Sequence, residues 1–245
     1  TWIPRFLSPS TMYPLTEDAD RYALAHLLGE PLHTTTNEVP GDLPLRFDRL
    51  GPEEVGTCLH DALTNLVARD LDDRAIRPSK SKIRAAFDAA ANALPKPVGE
   101  AERAGMLAFF ETVVDDFLDS DLWERIADPA TAVSVERPLD GLANVGDIEV
   151  EIHGRADFVV EHPNGERFVT DVKISLTQPT SETRRRYELQ IAAYAFLAEQ
   201  TDASNARVRR TVETFGVARE TTTASWPVAS MTRSASTAMG STQVI

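Results

Sequence analysis

Between Gly154 and Lys173 the chain reads Gly-Arg-Ala-Asp157-Phe-Val-Val-Glu-His-Pro163-Asn-Gly165-Glu-Arg-Phe-Val-Thr-Asp171-Val-Lys173. Two alternating apolar runs flank a Pro-Asn-Gly turn signal, the pattern of an antiparallel β-hairpin. Asp171 and Lys173 are two apart, so on a strand they share one face. The turn then decides where Asp157 lies. If Pro163–Gly165 is the loop and Gly165 is left-handed, His162 pairs with Glu166 and Asp157 falls opposite Asp171. A tighter Asn164-Gly165 turn would oppose Phe158 to Asp171 and send Asp157 to the other face. Two opposed carboxylates repel unless a cation lies between them, so the first register makes most sense as a metal site.

Alone, Asp171-Val172-Lys173 is weak. At this composition chance yields about 0.3 Asp-x-Lys triplets, and a solvated strand edge reads the same way. Company in chain order changes the balance. Upstream, Leu59, Leu63, Leu66 and Val67 recur at helical spacing, which predicts an amphipathic helix beginning near Pro52-Glu53-Glu54. Gly56 and His60 share one side of it, so a neighbouring backbone can approach at Gly56 and His60 points into whatever the helix covers. His60 is a packed, hydrogen-bonded histidine or a metal ligand. Downstream, Tyr187, Gln190, Ile191, Tyr194 and Ala198 fall on one helical stripe. Burying Gln190 unpaired would cost about 1–3 kcal/mol; a loop carbonyl or a catalytic site would supply its partner.

Gly56-x3-His60, Glu136 in Val-Glu-Arg-Pro, Gly154-Arg-Ala-Asp157, Asp171-Val-Lys173 and Gln190-x3-Tyr194 together resemble the ordered motifs of RecB-type nucleases. These belong to the PD-(D/E)XK superfamily and often form the C-terminal domain of helicase–nucleases such as the AddA and RecB subunits. The opening Phe6-Leu-Ser-Pro-Ser10 and Tyr22–Gly29 are similar to the segment leading into that domain, so the resemblance spans roughly residues 6–217. It implies a metal-dependent nuclease with a restriction-endonuclease-like core. His60, Asp157 and Asp171 would hold Mg²⁺ or Mn²⁺, with the Val172 carbonyl as a further ligand. Lys173 would orient the attacking water or neutralise the transition state, and Glu136, Gln190 and Tyr194 would position Lys173 or the strand backbone. Several relatives also carry an iron–sulfur cluster on four cysteines. With Cys58 as the only cysteine, this chain has no such cluster, disulfide or zinc knuckle.

A net charge of −13 is an unusual balance for a protein that binds a polyanion. The detail matters: 21 Arg stand against 4 Lys, with 19 Asp and 19 Glu, a composition like that of salt-accumulating halophiles. At about 1 M salt the Debye length is about 3 Å, so an acidic surface barely repels DNA beyond contact. Counterion release then contributes little, and binding leans on close hydrogen bonds, metal bridges and stacking. Arg184, Arg185 and Arg186 are candidate phosphate contacts, since the guanidinium fork suits phosphate oxygens. A solvated helix start is the alternative.

The expected fold is α+β, a mixed sheet flanked by helices with an N-terminal helical part. Helices are expected at 15–28, 52–70, 79–93, 99–126 and 184–200, and strands at 131–137, 147–161, 166–175 and 206–217. We read 1–50 as a leading segment, 51–219 as the nuclease domain and 220–245 as a disordered Ser/Thr-rich tail. The chain opens on Thr1, which suggests a piece of a longer protein, and it has no phosphate-binding motor loop. No apolar run approaches the ~20 residues of a membrane span, and no signal peptide is visible. The reading is a cytoplasmic DNA exonuclease domain acting in recombination or repair, with a helicase motor in the same or a partner chain. Its rival is a nuclease-like module that grips DNA for a partner helicase without cutting.

Overall fold

The computed structural model describes residues 6–9, 50–69, 71–145, 148–176, 178–201, 207–216 and 220–223. The expected helix at 15–28, most of the 31–50 connector and the tail beyond 223 lie outside the described residues. Those described form five α-helices: α1 (Pro52–Arg69), α2 (Lys80–Asn92), α3 (Glu100–Leu118), α4 (Asp121–Ala127) and α5 (Ser181–Thr201). The strands are β1 (Phe6–Leu7), β2 (Ala132–Val145), β3 (Ile148–Glu161), β4 (Glu166–Ser175), β5 (Arg207–Gly216) and β6 (Glu220–Thr223).

The strands make one mixed sheet. β3 pairs antiparallel with β2 from end to end except at Asp157, so β4 and β1 share its other edge. β4 takes Phe158–Glu161 and β1, running parallel, takes Glu151–Ile152. The crossover through α5 then sets β5 parallel to β4, and β6 closes that side antiparallel. This is the α+β architecture expected from the helices-then-strands order.

Each face of the sheet has its own core. Helices α1 to α4 cover one face, where Phe158, Val160, Val172 and Phe215 pack among their apolar stripes. Phe117 centres that core, with ring centroids 5.7 Å from Phe215, 6.1 Å from Phe158 and 5.5 Å from Trp123. Helix α5 covers the other face through Ile191, Tyr194 and Leu197 against Leu139, Val150, Ile152 and Val159. The buried Arg167 donates to the Ala198 carbonyl at 3.0 Å and ties α5 to the sheet. The Gln200 amide accepts from the Leu142 N–H at 3.0 Å and donates to its carbonyl at 2.7 Å, which blocks one position on the open edge of β2.

Four boundaries differ from the sequence expectation. The single helix expected over 99–126 breaks at Asp119, because Ser120 caps a new helix. Its Oγ accepts from Trp123 N at 3.2 Å and donates to the Phe117 carbonyl at 2.6 Å. β2 runs on to Val145, well past 137, since β3 supplies a partner for every residue but Glu136 despite Pro138 and Gly141. Glu220–Thr223, assigned to the tail, is a strand recruited by the free edge of β5. Helix α5 begins at Ser181, where the Thr180 hydroxyl accepts from Thr183 N at 3.1 Å, so the arginine run lies within the helix rather than opening it.

Ser120→Ala removes a buried cap and leaves the Trp123 amide unpaired. We expect a loss of about 1–2 kcal/mol in urea unfolding, with the slope on denaturant unchanged.

Candidate active site

The hairpin adopts the register that opposes His162 and Glu166. Gly165 is left-handed, at φ 84°, and the two residues close the loop through a 2.8 Å bond from His162 N to the Glu166 carbonyl. The ladder runs from Glu161/Arg167 to Phe158/Thr170 and then stops, one pair short of Asp157/Asp171. The cause is a side chain. The Asp157 carboxylate accepts from Val172 N at 2.6 Å, taking the place of a ladder bond. β3 and β4 part there, and the carboxylate fills the gap.

The same point is a switch in β2 and β3. Residues two apart on a strand share a face, yet Val133 and Val135 pack on the α1–α4 side while Leu139 and Ala143 pack under α5. Likewise Phe158 and Val160 face α1–α4, whereas Val150, Ile152 and Ala156 face α5. Glu136 lies between the two halves of β2 with φ 53°, the only non-glycine with positive φ among the described residues. Asp157 is its counterpart on β3. Strain of this kind costs about 1–3 kcal/mol and is held only where the surroundings enforce it.

Into the switch comes His60 from the third turn of α1, with Nε2 3.0 Å from Asp157 Oδ2. One donor atom each from His60, Glu136 and Asp157 lies within 4.8 Å of the others, a set that could hold a metal ion. On the α5 side, Lys173 Nζ is 3.1 Å from Asp171 Oδ1 and 2.9 Å from Oδ2. Only the first contact is aligned as a hydrogen bond, so Asp171 Oδ2 is buried without one. Lys173 also lies 5.6 Å from the centre of the Tyr187 ring. Gln190 donates to the Tyr194 hydroxyl at 3.2 Å.

These groups perturb one another. Burial pushes the Asp171 carboxyl up to about 6 against the pull of Lys173. Burial would depress His60 and Lys173, but the carboxylates beside them outweigh it and hold both above their ordinary values. Burial and the Asp157 charge raise Glu136, opposed by Arg155 and His60. Lys173 is thus an ammonium at neutral pH, suited to stabilising negative charge rather than to accepting a proton.

The sequence profile of the PD-(D/E)XK nuclease superfamily matches residues 7–237. The chain belongs to this superfamily. Nucleases of this group use divalent metals, and the mixed sheet between helices is its restriction-endonuclease-like fold. No curated protein shows significant similarity to the chain. Among solved structures, the one titled "Crystal structure of SSO0001" is 16% identical, covering 71% of this chain and 68% of that one, with a TM-score of 0.31. Among the described residues no helix is long and apolar enough to cross a membrane.

Against the sequence expectations, His60 and Asp157 do meet. Glu136 joins them rather than attending Lys173, and Asp171 stands beside that set, engaged by Lys173. Tyr187, rather than Tyr194, has its ring against the lysine. It lies on the recognised stripe, so the helical period could have found it. Gly56 brings α1 to the Ile174 carbonyl, but a methyl there would sit at 3.5 Å, an ordinary contact. Gly154 is tighter, since a Cβ there would come within 2.7 Å of the Tyr194 ring and 3.0 Å of Pro9. Of the three arginines, Arg186 is paired with Glu182 at 2.7 Å, Arg184 is half-buried and Arg185 is exposed.

The shifts set a pH dependence for the metal-free protein. Asp171 ionises less readily when folded than its ordinary 3.8, so its cost to stability is absent below about pH 4 and complete above about pH 6. His60 contributes stability at and below its ordinary 6.5 that is lost as pH rises through its higher folded value. The signs agree. In EDTA, the melting temperature should fall between about pH 5 and pH 8, and Mg²⁺ or Mn²⁺ should restore most at the alkaline end. A flat profile in EDTA would contradict the charge arrangement.

Proposed function

We propose that this domain is a metal-dependent deoxyribonuclease whose cation is Mg²⁺ or Mn²⁺. The observation that carries the reading is the convergence of His60, Glu136 and Asp157 at a strained strand switch, beside a buried Asp171 paired with a half-buried Lys173. The donor set suits such a cation: carboxylate oxygens and one imidazole nitrogen, and a buried Asp171 oxygen without a hydrogen bond. A bound divalent cation would lower the pKa of a coordinated water and offset charge on the scissile phosphate.

The chain's own groups divide the remaining work. His60, Glu136 and Asp157 would hold the cation, with Asp171 and the Val172 carbonyl as candidate further ligands. Asp157 has a second duty, fixing Val172 through its amide. Lys173, kept protonated by Asp171, directs its charge at the phosphoryl group as negative charge develops there. Tyr187 limits the swing of the lysine, and the Gln190–Tyr194 pair packs behind it. Arg184, Arg185 and Arg186 line the approach as candidate phosphate contacts.

Exonucleolytic action, a role in recombination or repair, a helicase motor in the same or a partner chain and a cytoplasmic setting complete the proposal. They are supported by the RecB-like order of the motifs and by the Phe6–Ser10 segment ahead of them. The arginine-rich, lysine-poor, acidic composition supports work in concentrated salt.

Linear duplex and single-stranded DNA, incubated with Mg²⁺ or Mn²⁺ in low and in molar KCl, should be degraded in at least one condition. Lys173→Ala should abolish cleavage with DNA binding nearly unchanged, because it removes a part that acts only in the chemical step. Binding without cleavage in every condition would instead identify a non-cutting DNA-binding module, and wild-type rates in Lys173→Ala would overturn the catalytic assignment. His60→Ala should raise the metal concentration needed for half-maximal activity; an unchanged requirement would return His60 to a packing role.

A further inference from the structure

We propose that Arg155 binds a backbone phosphate of the substrate directly beside the metal cluster, an inference that rests on the nuclease reading above. Arg155 Nε lies 2.7 Å from Glu136 Oε2, so its guanidinium is anchored on a member of that cluster. The side chain is 68% exposed while Glu136 is 30% exposed, which places the cation at the mouth of the site rather than inside it. A guanidinium carries five N–H donors in a rigid fork. Only Nε is engaged here, and no described residue partners its terminal amino groups. An exposed ion pair adds little to stability, so the pair does not explain itself as a fold element.

The surroundings favour a phosphate as the missing partner. With Nε held, the terminal amino groups are presented in a fixed orientation, the geometry that bidentate phosphate recognition uses. Arg155 also ends a row. Asp140, Glu151 and His153 share its exposed face of the β2–β3 ribbon, and His153 is held between the two carboxylates at 2.8 and 3.2 Å. That face would repel a polyanion beyond Arg155. The arginine therefore marks the boundary of the DNA path on this side, one phosphate from the cation. It also links substrate to metal: a phosphate on the amino groups tightens the guanidinium against Glu136, whose left-handed backbone fixes where its carboxylate can lie.

The test measures binding alone, in Ca²⁺ to slow cleavage. Fluorescence anisotropy is recorded on short labelled DNA in which single phosphates are replaced by neutral methylphosphonates, one position at a time. Wild-type protein should lose affinity at one phosphate adjoining the cleaved bond. Arg155→Ala should bind unmodified DNA about tenfold more weakly and show no further loss at that position. Its log–log salt slope should be shallower by about 0.7–0.9, one phosphate contact. Arg155→Lys should recover the salt slope but only part of the affinity. A wild-type methylphosphonate profile in Arg155→Ala overturns the proposal, and so does an Arg155→Ala variant that still loses affinity at that one phosphate, since the arginine would then act only by holding Glu136. Arg155 is exposed, and an unchanged melting temperature confirms that each variant is folded. Wild-type protein that binds DNA but never cuts it would sink the nuclease reading while leaving these binding outcomes readable.

Discussion

One hydrogen bond organises this fold: the Val172 amide given to the Asp157 carboxylate. Had that amide gone to a backbone carbonyl, β3 and β4 would have zipped on past Phe158 and Thr170. A charged acceptor makes a stronger bond than a neutral carbonyl, so the exchange stabilises the separation instead of merely permitting it. Everything at the site follows from the gap. β1 finds a free length of β3 at Glu151–Ile152. His60 reaches Asp157 from the helical layer, while Asp171 and Lys173 approach from beneath α5.

The gap also explains how so many charges tolerate one another. His60, Lys173 and Arg155 each stand against a carboxylate, and Asp157 also holds the Val172 amide. Burial raises the cost of every charge and strengthens every attraction. The result is an electrostatic set that is satisfied pair by pair yet leaves Asp171 Oδ2 without a hydrogen bond.

Much of this was legible in the residues. The hairpin register followed from Pro163-Asn164-Gly165, because loop geometry fixes pairing without help from the rest of the fold. The helix carrying His60 and the stripe carrying Gln190 and Tyr194 followed from apolar period. What could not be read was the behaviour of Glu136. Its left-handed backbone arises from a twist shared by β2 and β3, and no local propensity in Val135-Glu136-Arg137 announces it. The end of the ladder before Asp157/Asp171 was hidden for the same reason, since pairing rules concern backbones and a side chain ended the pairing. Ser120 was the exception. An Asp-Ser-Asp sequence is an ordinary capping signal, masked by the apolar period running on both sides of it.

β1 is joined to β3 although the whole of residues 8–147 separates them in sequence. A chain emerging residue by residue must therefore hold Phe6 and Leu7 without a partner until almost all the helices have been made. The antiparallel β2–β3 ribbon can form early, as a local event, whereas β1 and the parallel β4–β5 pair must wait for distant contacts. His60, too, is synthesised long before Asp157 exists to receive it. The candidate site is consequently completed late, once β3 and β4 have followed the helix that carries His60.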